Sequence, residues 1–255
     1  MPTVKASALD PADFARRFAE AARRQNFRAE PLAEIAGVPL AAYTKRTPGP
    51  RPRLYLSAGI HGDEPAPPLA LLRLMETGVF DHRATWFICP LLNPAGFMRG
   101  TRENANGTDL NRDYKDLRSA EIAAHVRWLE RQPSFDTTFC LHEDWEAQGF
   151  YLYELNPEGL PSLADTMIAA ARVHGPVETA TVIDGREIHE PGIIRPVSDP
   201  LLRETWPEAI YLRHHHTRRS YTLETASSQP LEQRITTQVA AVTTALAALV
   251  SARAR

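Results

Sequence analysis

The chain has 255 residues, 43% of them hydrophobic and 24% charged, a globular composition that excludes an intrinsically disordered chain. Its formal net charge of −2 gives no global bias toward nucleic acid, a membrane surface or an acidic ligand. Cys89 and Cys140, its two cysteines, are too few for a disulfide framework and lie in apolar strand-like runs, so buried reduced thiols are expected.

The first twenty residues carry Asp13 and Glu20 and no apolar run of signal-peptide length. The most apolar late stretch, VAAVTTALAALV, has 12 residues, short of a membrane span. A soluble, cytoplasmic protein without nucleic-acid or membrane partners is therefore expected. Asp10 followed by Pro11 reads as an N-cap with proline at the first helical position, and Phe14, Phe18 and Ala22 recur every four residues behind it. EPLAEIAGVPLAAYTKR then reads as two edge-type strands, and TPGPRP as a turn-rich boundary. Residues 1–50 thus form a lead-in helix and edge strands to a single domain spanning 1–255.

An alternating pattern follows. RLYLSAGI, TWFICPLLN and TTFCLH are strand-like, and the helical stretches LALLRLMETG and SAEIAAHVRWLERQ separate them. Runs apolar on both faces, interleaved with helices, predict an α/β domain with a mixed, mostly parallel central sheet between helix layers. GFYLYEL, the helix LADTMIAAARVHG and the strand candidates EAIYLR and SYTLET come next. A last helix opens near Pro230 and carries Leu231, Ile235, Val239, Val242, Leu246 and Leu249 on one stripe.

SAGIHGDEPAPP places His61 and Glu64 at His-x-x-Glu spacing just past the first buried strand. Ligands of open α/β sheets gather outside the carboxyl ends of the strands, and imidazole plus carboxylate suits zinc. Gly62 is read as a tight turn between the two, Pro65 as the start of the next helix, and Asp63 as a bystander. A catalytic zinc usually takes three protein ligands, and His142, at the end of TTFCLH, is the candidate third. Between them runs NPAGFMRGTRENANGTDLNRDY, residues 93–114, rich in Asn, Gly, Arg and Asp and without apolar periodicity. A loop this long inside a compact domain reads as functional.

Taken in order, HGDE, NPAG, the arginine of GTREN, DLNR, the strand-end LH and TLETAS resemble the zinc carboxypeptidase family, over residues 54–228. The resemblance implies that His61, Glu64 and His142 bind one zinc ion per chain. It implies that Arg102 polarises the scissile carbonyl and stabilises the oxyanion, and that Asn111 and Arg112 grip the substrate's terminal carboxylate. Asp109 matches the aspartate that accepts the other ring N–H of the first histidine. Glu224 matches the general base that takes a proton from water and returns it to the leaving amine. The substrate implied is a peptide or acylated amino acid with a free carboxylate.

Two departures qualify the match. The segment between Glu64 and His142 is shorter than in digestive members, as in compact bacterial forms, and the family's lid tyrosine is not assigned by spacing among Tyr114, Tyr211 and Tyr221. LRHHHTRRSY reads as a solvated loop, His125 as a surface histidine, and Glu143, Asp144 and Glu146 as mostly solvated, with Asp144 a candidate wall for a cationic substrate. Two other activities share this fold and ligand set: N-acyl amino acid deacylation of the succinylglutamate desuccinylase and aspartoacylase type, and murein-peptide amidase activity. A metal-free binding protein on the same fold would lack a ligand or the base, and none is missing.

Overall fold

The computed structural model describes residues 9–252, apart from 184, 189, 197 and 198. Helix α1 (Pro11–Arg24) starts as its sequence dictates. The Asp10 side chain accepts from the Ala12 and Asp13 amides at 2.8 and 3.1 Å, Pro11 occupies the first turn, and Phe14, Phe18, Ala21 and Ala22 are buried. Strands β1 (Arg28–Ile35) and β2 (Val38–Lys45) form a hairpin whose two loop residues, Ala36 and Gly37, both have positive φ, as a type I′ turn requires.

Strand β3 (Arg53–Ser57), helix α2 (Ala66–Glu76), β4 (Thr85–Cys89), α3 (Pro94–Arg99), α4 (Ala120–Leu129) and β5 (Thr137–Asp144) then alternate. After them come β6 (Tyr151–Leu155), α5 (Ala164–Arg172), the two-residue strands β7 (Val182–Ile183), β8 (Arg186–Glu187) and β9 (Ile193–Ile194), and helix α6 (Glu208–His215). Strand β10 (Ser220–Ala226) and helix α7 (Leu231–Ala252) complete the chain.

Eight strands form one sheet in the order β1-β2-β4-β3-β5-β10-β6-β9, while β7 and β8 pair separately. Four adjacent strands, β4, β3, β5 and β10, run parallel, and antiparallel neighbours flank them through β2 and β6. The mixed α/β architecture agrees with the sequence reading, but only β1 of the first hairpin is an edge strand.

Side chains alternate across the sheet, and this alternation sorts the core. Leu54, Leu56, Phe139, Leu141, Tyr221 and Leu223 face the layer of α1, α2, α5 and α7, where Phe18, Leu71 and Val242 meet them. Tyr55, Phe87 and Cys140 face the opposite layer, with Trp128 of α4 and Leu212 of α6. Both cysteines are buried and free. Helix α7 is long and apolar enough by composition to cross a bilayer, yet it packs Ala241, Val242, Ala245 and Leu246 into the first of these layers as a core helix.

Three expectations are overturned here. EAIYLR is helix α6, not a strand: Pro207 precedes it, Glu208 opens it, and Arg213, His214 and His215 close it, the charge order that complements a helix dipole. The run is too short for periodicity to separate strand from helix. The supposed solvated loop is thus partly this helix, and His216 is buried against Phe135. His125 is not on the surface. It is fully buried in α4, bonded to the hydroxyls of Tyr55 (3.0 Å) and Tyr114 (2.8 Å), and burial lowers its pKa to about 3.

Glu208 is buried on the same face, where the hydroxyls of Tyr55 (2.6 Å) and Ser57 (2.8 Å) donate to its two carboxyl oxygens. Burial lifts its pKa from 4.5 to about 7, against the pull of those hydrogen bonds. Between these values the folded protein holds a proton that the unfolded chain has released. Stability therefore falls as pH rises from 4.5 to 7, by on the order of 3 kcal/mol in all. Urea titrations at the two ends of this window are expected to show that fall in the native protein and to lose most of it in Glu208→Gln. An equal fall in the variant would assign the pH dependence to another group.

Candidate metal centre

The parallel strands β3, β5 and β10 deliver their carboxyl ends side by side, so distant stretches of chain meet there. His61 and Glu64 lie in the turn after β3, His142 is on β5, and Glu224 pairs with His142 in the β5–β10 register. His142 and Glu224 share the sheet face of Cys140 and Thr222, away from Leu141 and Leu223, so both face the side of α4 and α6.

His61 Nδ1 stands 2.5 Å from Glu64 Oε1, and His142 Nδ1 stands 3.2 Å from Glu64 Oε2. All three residues are buried, their ligand atoms lie within 4.8 Å of one another, and Asp63 between them points to solvent. Two ring nitrogens facing one buried carboxylate require positive charge between them, from protons or from a metal. Burial alone would lower the pKa of His61, but the Glu64 carboxylate and a bond to Asp109 lift it to about 9. Glu64 is in turn held down to about 2, its burial outweighed by the two imidazoles. Two imidazoles and a carboxylate, closed off from water on all but the cavity side, fit a divalent ion of zinc's ligand preference.

Surrounding groups fix this cluster. Asp109 caps a short 3-10 turn over Leu110–Arg112 by accepting the Asn111 amide at 2.9 Å, and its Oδ1 lies 3.4 Å from His61 Nε2. Arg102 donates from Nε to Asp109 at 3.0 Å and places Nη1 3.3 Å from His61 Nδ1 and 3.7 Å from Glu64. The Glu143 amide donates to Glu64 at 3.1 Å, and Gln238 of α7 donates to the His142 carbonyl at 2.8 Å.

Asn111 and Arg112 line the same cavity, about 300 Å³ in volume, as do Arg102 and Glu224. Asn111 Oδ1 accepts the Glu208 amide at 2.9 Å, which turns the amide so that its NH2 remains a free donor. Glu224 is partly buried. Burial, then the negative charges of Glu64 and Asp144, push its pKa well above the usual carboxylate range, with Arg102 pulling the other way. A bound dication would add to that pull.

Among known proteins, the model of the succinylglutamate desuccinylase/aspartoacylase catalytic domain matches residues 50–176, about half of the chain. A structure described as a metallopeptidase, from Shewanella amazonensis, superposes with a TM-score of 0.81 at 26% identity, over 92% of each chain. The chain is a hydrolase with the fold of the metallopeptidases. A metallo-carboxypeptidase from Burkholderia cenocepacia shares the fold at a TM-score of 0.67 and 20% identity, over 94% of this chain and 68% of that one. Carboxypeptidase SOL1 of Arabidopsis thaliana is 33% identical over 112 residues, and the match spans 23% of that protein's length.

This hydrolase departs from the sequence reading at several points around the site. Tyr114 and Tyr221 are buried and bonded inward, to His125 and to Glu154, and Tyr211 is buried among His215, His216 and Tyr114. None of the three lid candidates lines the cavity, whereas Tyr151 and Tyr153 do. Their signal was the alternation in YLYEL, which sends 151 and 153 to the face opposite Leu152. Glu143 is not solvated: it is buried, accepts the Ala66 amide at the start of α2 at 2.6 Å and pairs with Arg234 of α7. Asp144 lines the cavity but is already engaged by the Tyr151 hydroxyl and the Glu146 amide, both at 2.8 Å.

The stretch 93–114 is also less irregular than expected, because Asn93 caps helix α3 through the Gly96 amide at 2.8 Å. The same side chain donates to the carbonyls of Ile60 and Arg102, both at 3.1 Å, and so ties the His61 turn to the Arg102 loop. The role of Gly62 is close approach rather than a turn needing positive φ. A Cβ there would fall 2.0 Å from the Gly96 carbonyl carbon and 2.4 Å from the Phe97 nitrogen. The obstacle is the Gly96–Phe97 backbone, which has little room to yield, so Gly62→Ala is expected to displace His61 or Glu64. Its affinity for zinc, read by competition with a chelating dye, is expected to drop at least about tenfold with the fold intact by circular dichroism. An unaltered affinity would show that this contact does not position the ligands.

Proposed function

We propose that the protein is a zinc-dependent carboxypeptidase that hydrolyses the amide bond next to a terminal residue bearing a free carboxylate. The observation that carries this reading is the convergence of His61, Glu64 and His142 on the wall of a cavity that also exposes Glu224, Arg102, Asn111 and Arg112. Arg112 has no carboxylate partner among the described residues, and its planar fork suits a substrate carboxylate, with the Asn111 NH2 as a further donor. That grip holds the scissile bond over the ligand cluster.

His61, Glu64 and His142 would hold one zinc per chain, which would supply Lewis acidity at this wall of the cavity. Glu224 takes the proton from the attacking water and passes it to the departing amine, a double role that needs a carboxyl with a raised pKa. Arg102 stabilises the negative charge that develops on the carbonyl oxygen. Asp109 holds the ring of His61 from behind.

The match to the succinylglutamate desuccinylase/aspartoacylase domain favours a second reading, N-acyl amino acid deacylation. The same groups serve it, and only the acyl portion of the substrate differs. Murein-peptide amidase activity is the third variant. A panel of dipeptides, acylated amino acids and muropeptides separates them. Cleavage of dipeptides supports the first reading, and cleavage of acyl-aspartate or succinyl-glutamate alone replaces it with the second.

Metal analysis is expected to return about one zinc per chain, lost in His61→Ala, whereas protein that takes up no metal would end all three enzyme readings. Glu224→Gln is expected to keep its zinc and lose on the order of 10² to 10⁴ in kcat. Full turnover in that variant would remove Glu224 from the proton-transfer role.

A further inference from the structure

Helix α7 buries Ile235, Ala241, Val242, Ala245 and Leu246, and one amide interrupts this apolar stripe. Gln238 is fully buried, and its Nε2 donates to the His142 carbonyl on β5 at 2.8 Å and to Thr225 Oγ1 on β10 at 3.0 Å. Its Oε1 is buried as well and bonds to no protein group among the described residues. Turning the amide over would set that oxygen against the His142 carbonyl, so the donor side is committed to the two strands. An unpaired buried oxygen carries a cost that an apolar residue of similar size avoids. Packing alone therefore does not account for a glutamine here.

Its two acceptors lie where the strands need a tie. Strand β3 pairs with β5 only as far as Cys140, and beyond that point β5 has β10 as its one strand neighbour among the described residues. The register places His142 opposite Glu224 and Glu143 opposite Thr225. Gln238 thus joins the residue that carries a candidate ligand to the residue that follows Glu224. Thr225 shares the sheet face of Leu223, opposite that of Glu224, so the tie is made behind the cavity. One turn earlier on α7, Arg234 pairs with Glu143, whose carboxylate also accepts the Ala66 amide at the start of α2 at 2.6 Å. Ends of elements open more readily than their centres, and these two strand ends bear groups whose separation must be held.

We propose that Gln238 is a positioning residue that sets the separation of His142 from Glu224 by tying β5 to β10 from the side of α7. The proposal rests on the reading in which His142 binds zinc and Glu224 transfers the proton. Gln238 does not line the cavity, so it acts on the site only through the His142 backbone and Thr225.

The test is zinc affinity, read by competition with a chelating dye, in the native protein, Gln238→Leu and Gln238→Met. Leu246→Ala serves as a control that loosens the same helix within the apolar layer. Both Gln238 variants are expected to bind zinc at least about tenfold more weakly while still unfolding cooperatively, and Leu246→Ala to stay within about twofold of the native protein. At saturating zinc the Gln238 variants are also expected to lose about tenfold in kcat with KM nearly unchanged, because the substrate carboxylate is gripped elsewhere. Native zinc affinity in a folded Gln238 variant, an equal loss in Leu246→Ala, or an unchanged kcat overturns the proposal. Failure of the hydrolase reading shows in the native protein instead. Zinc uptake without hydrolysis of any panel substrate defeats the enzyme, and the zinc affinities alone then decide whether Gln238 holds His142.

Discussion

The structure depends on one buried carboxylate. Glu64 is shut away from water with an imidazole nitrogen at each of its oxygens, and such a cluster persists only if every neighbour is held in place. The surroundings meet that demand from separate parts of the chain. Asp109 and Arg102 back His61, the Glu143 amide reaches Glu64, Gln238 pins the strand that carries His142, and Asn93 ties the His61 turn to the Arg102 loop. Position rather than composition makes these residues a ligand set, because a shift of one side chain would leave a buried charge without a partner.

The sheet decides where the cluster can stand. Alternation along β5 and β10 commits Leu141 and Leu223 to the apolar layer of α1, α2, α5 and α7 and turns His142 and Glu224 to the other side. On that side the core is more polar. His125, Tyr55, Tyr114, Ser57 and Glu208 form a buried hydrogen-bonded network, and Glu208 extends it to Asn111 through its backbone amide. The cavity wall is therefore joined to the core by directional bonds rather than by apolar packing alone.

The match to the desuccinylase/aspartoacylase domain ends at residue 176, so it includes all three candidate ligands together with Arg102, Asp109, Asn111 and Arg112. Glu224 on β10 and the β7–β8 hairpin lie beyond it. The matched part holds the candidate ligands, and the remainder supplies strand β10 and further parts of the cavity wall.

Much of this was legible in the residues themselves. Cap and proline signals placed α1, the apolar stripe placed α7, and buried strand runs separated by helices named the fold class, because these patterns are local and follow the periods of helix and strand. His61, Glu64, Arg102, Asp109, Asn111, Arg112, His142 and Glu224 were named as candidates from motif order, and the geometry gathers them around one cavity. What the chain alone left undecided depends on contacts between residues far apart in sequence. EAIYLR is a helix that the sequence left open, because a short apolar run carries too little period to separate strand from helix. His125 and Glu208, which look like surface residues, were buried by partners up to 153 residues away. Gly62 proved to matter for the backbone of Gly96 and Phe97. Local sequence determines periodicity and chemistry, but burial and the pairing of charges are set by which distant surfaces meet, and only the folded chain decides that.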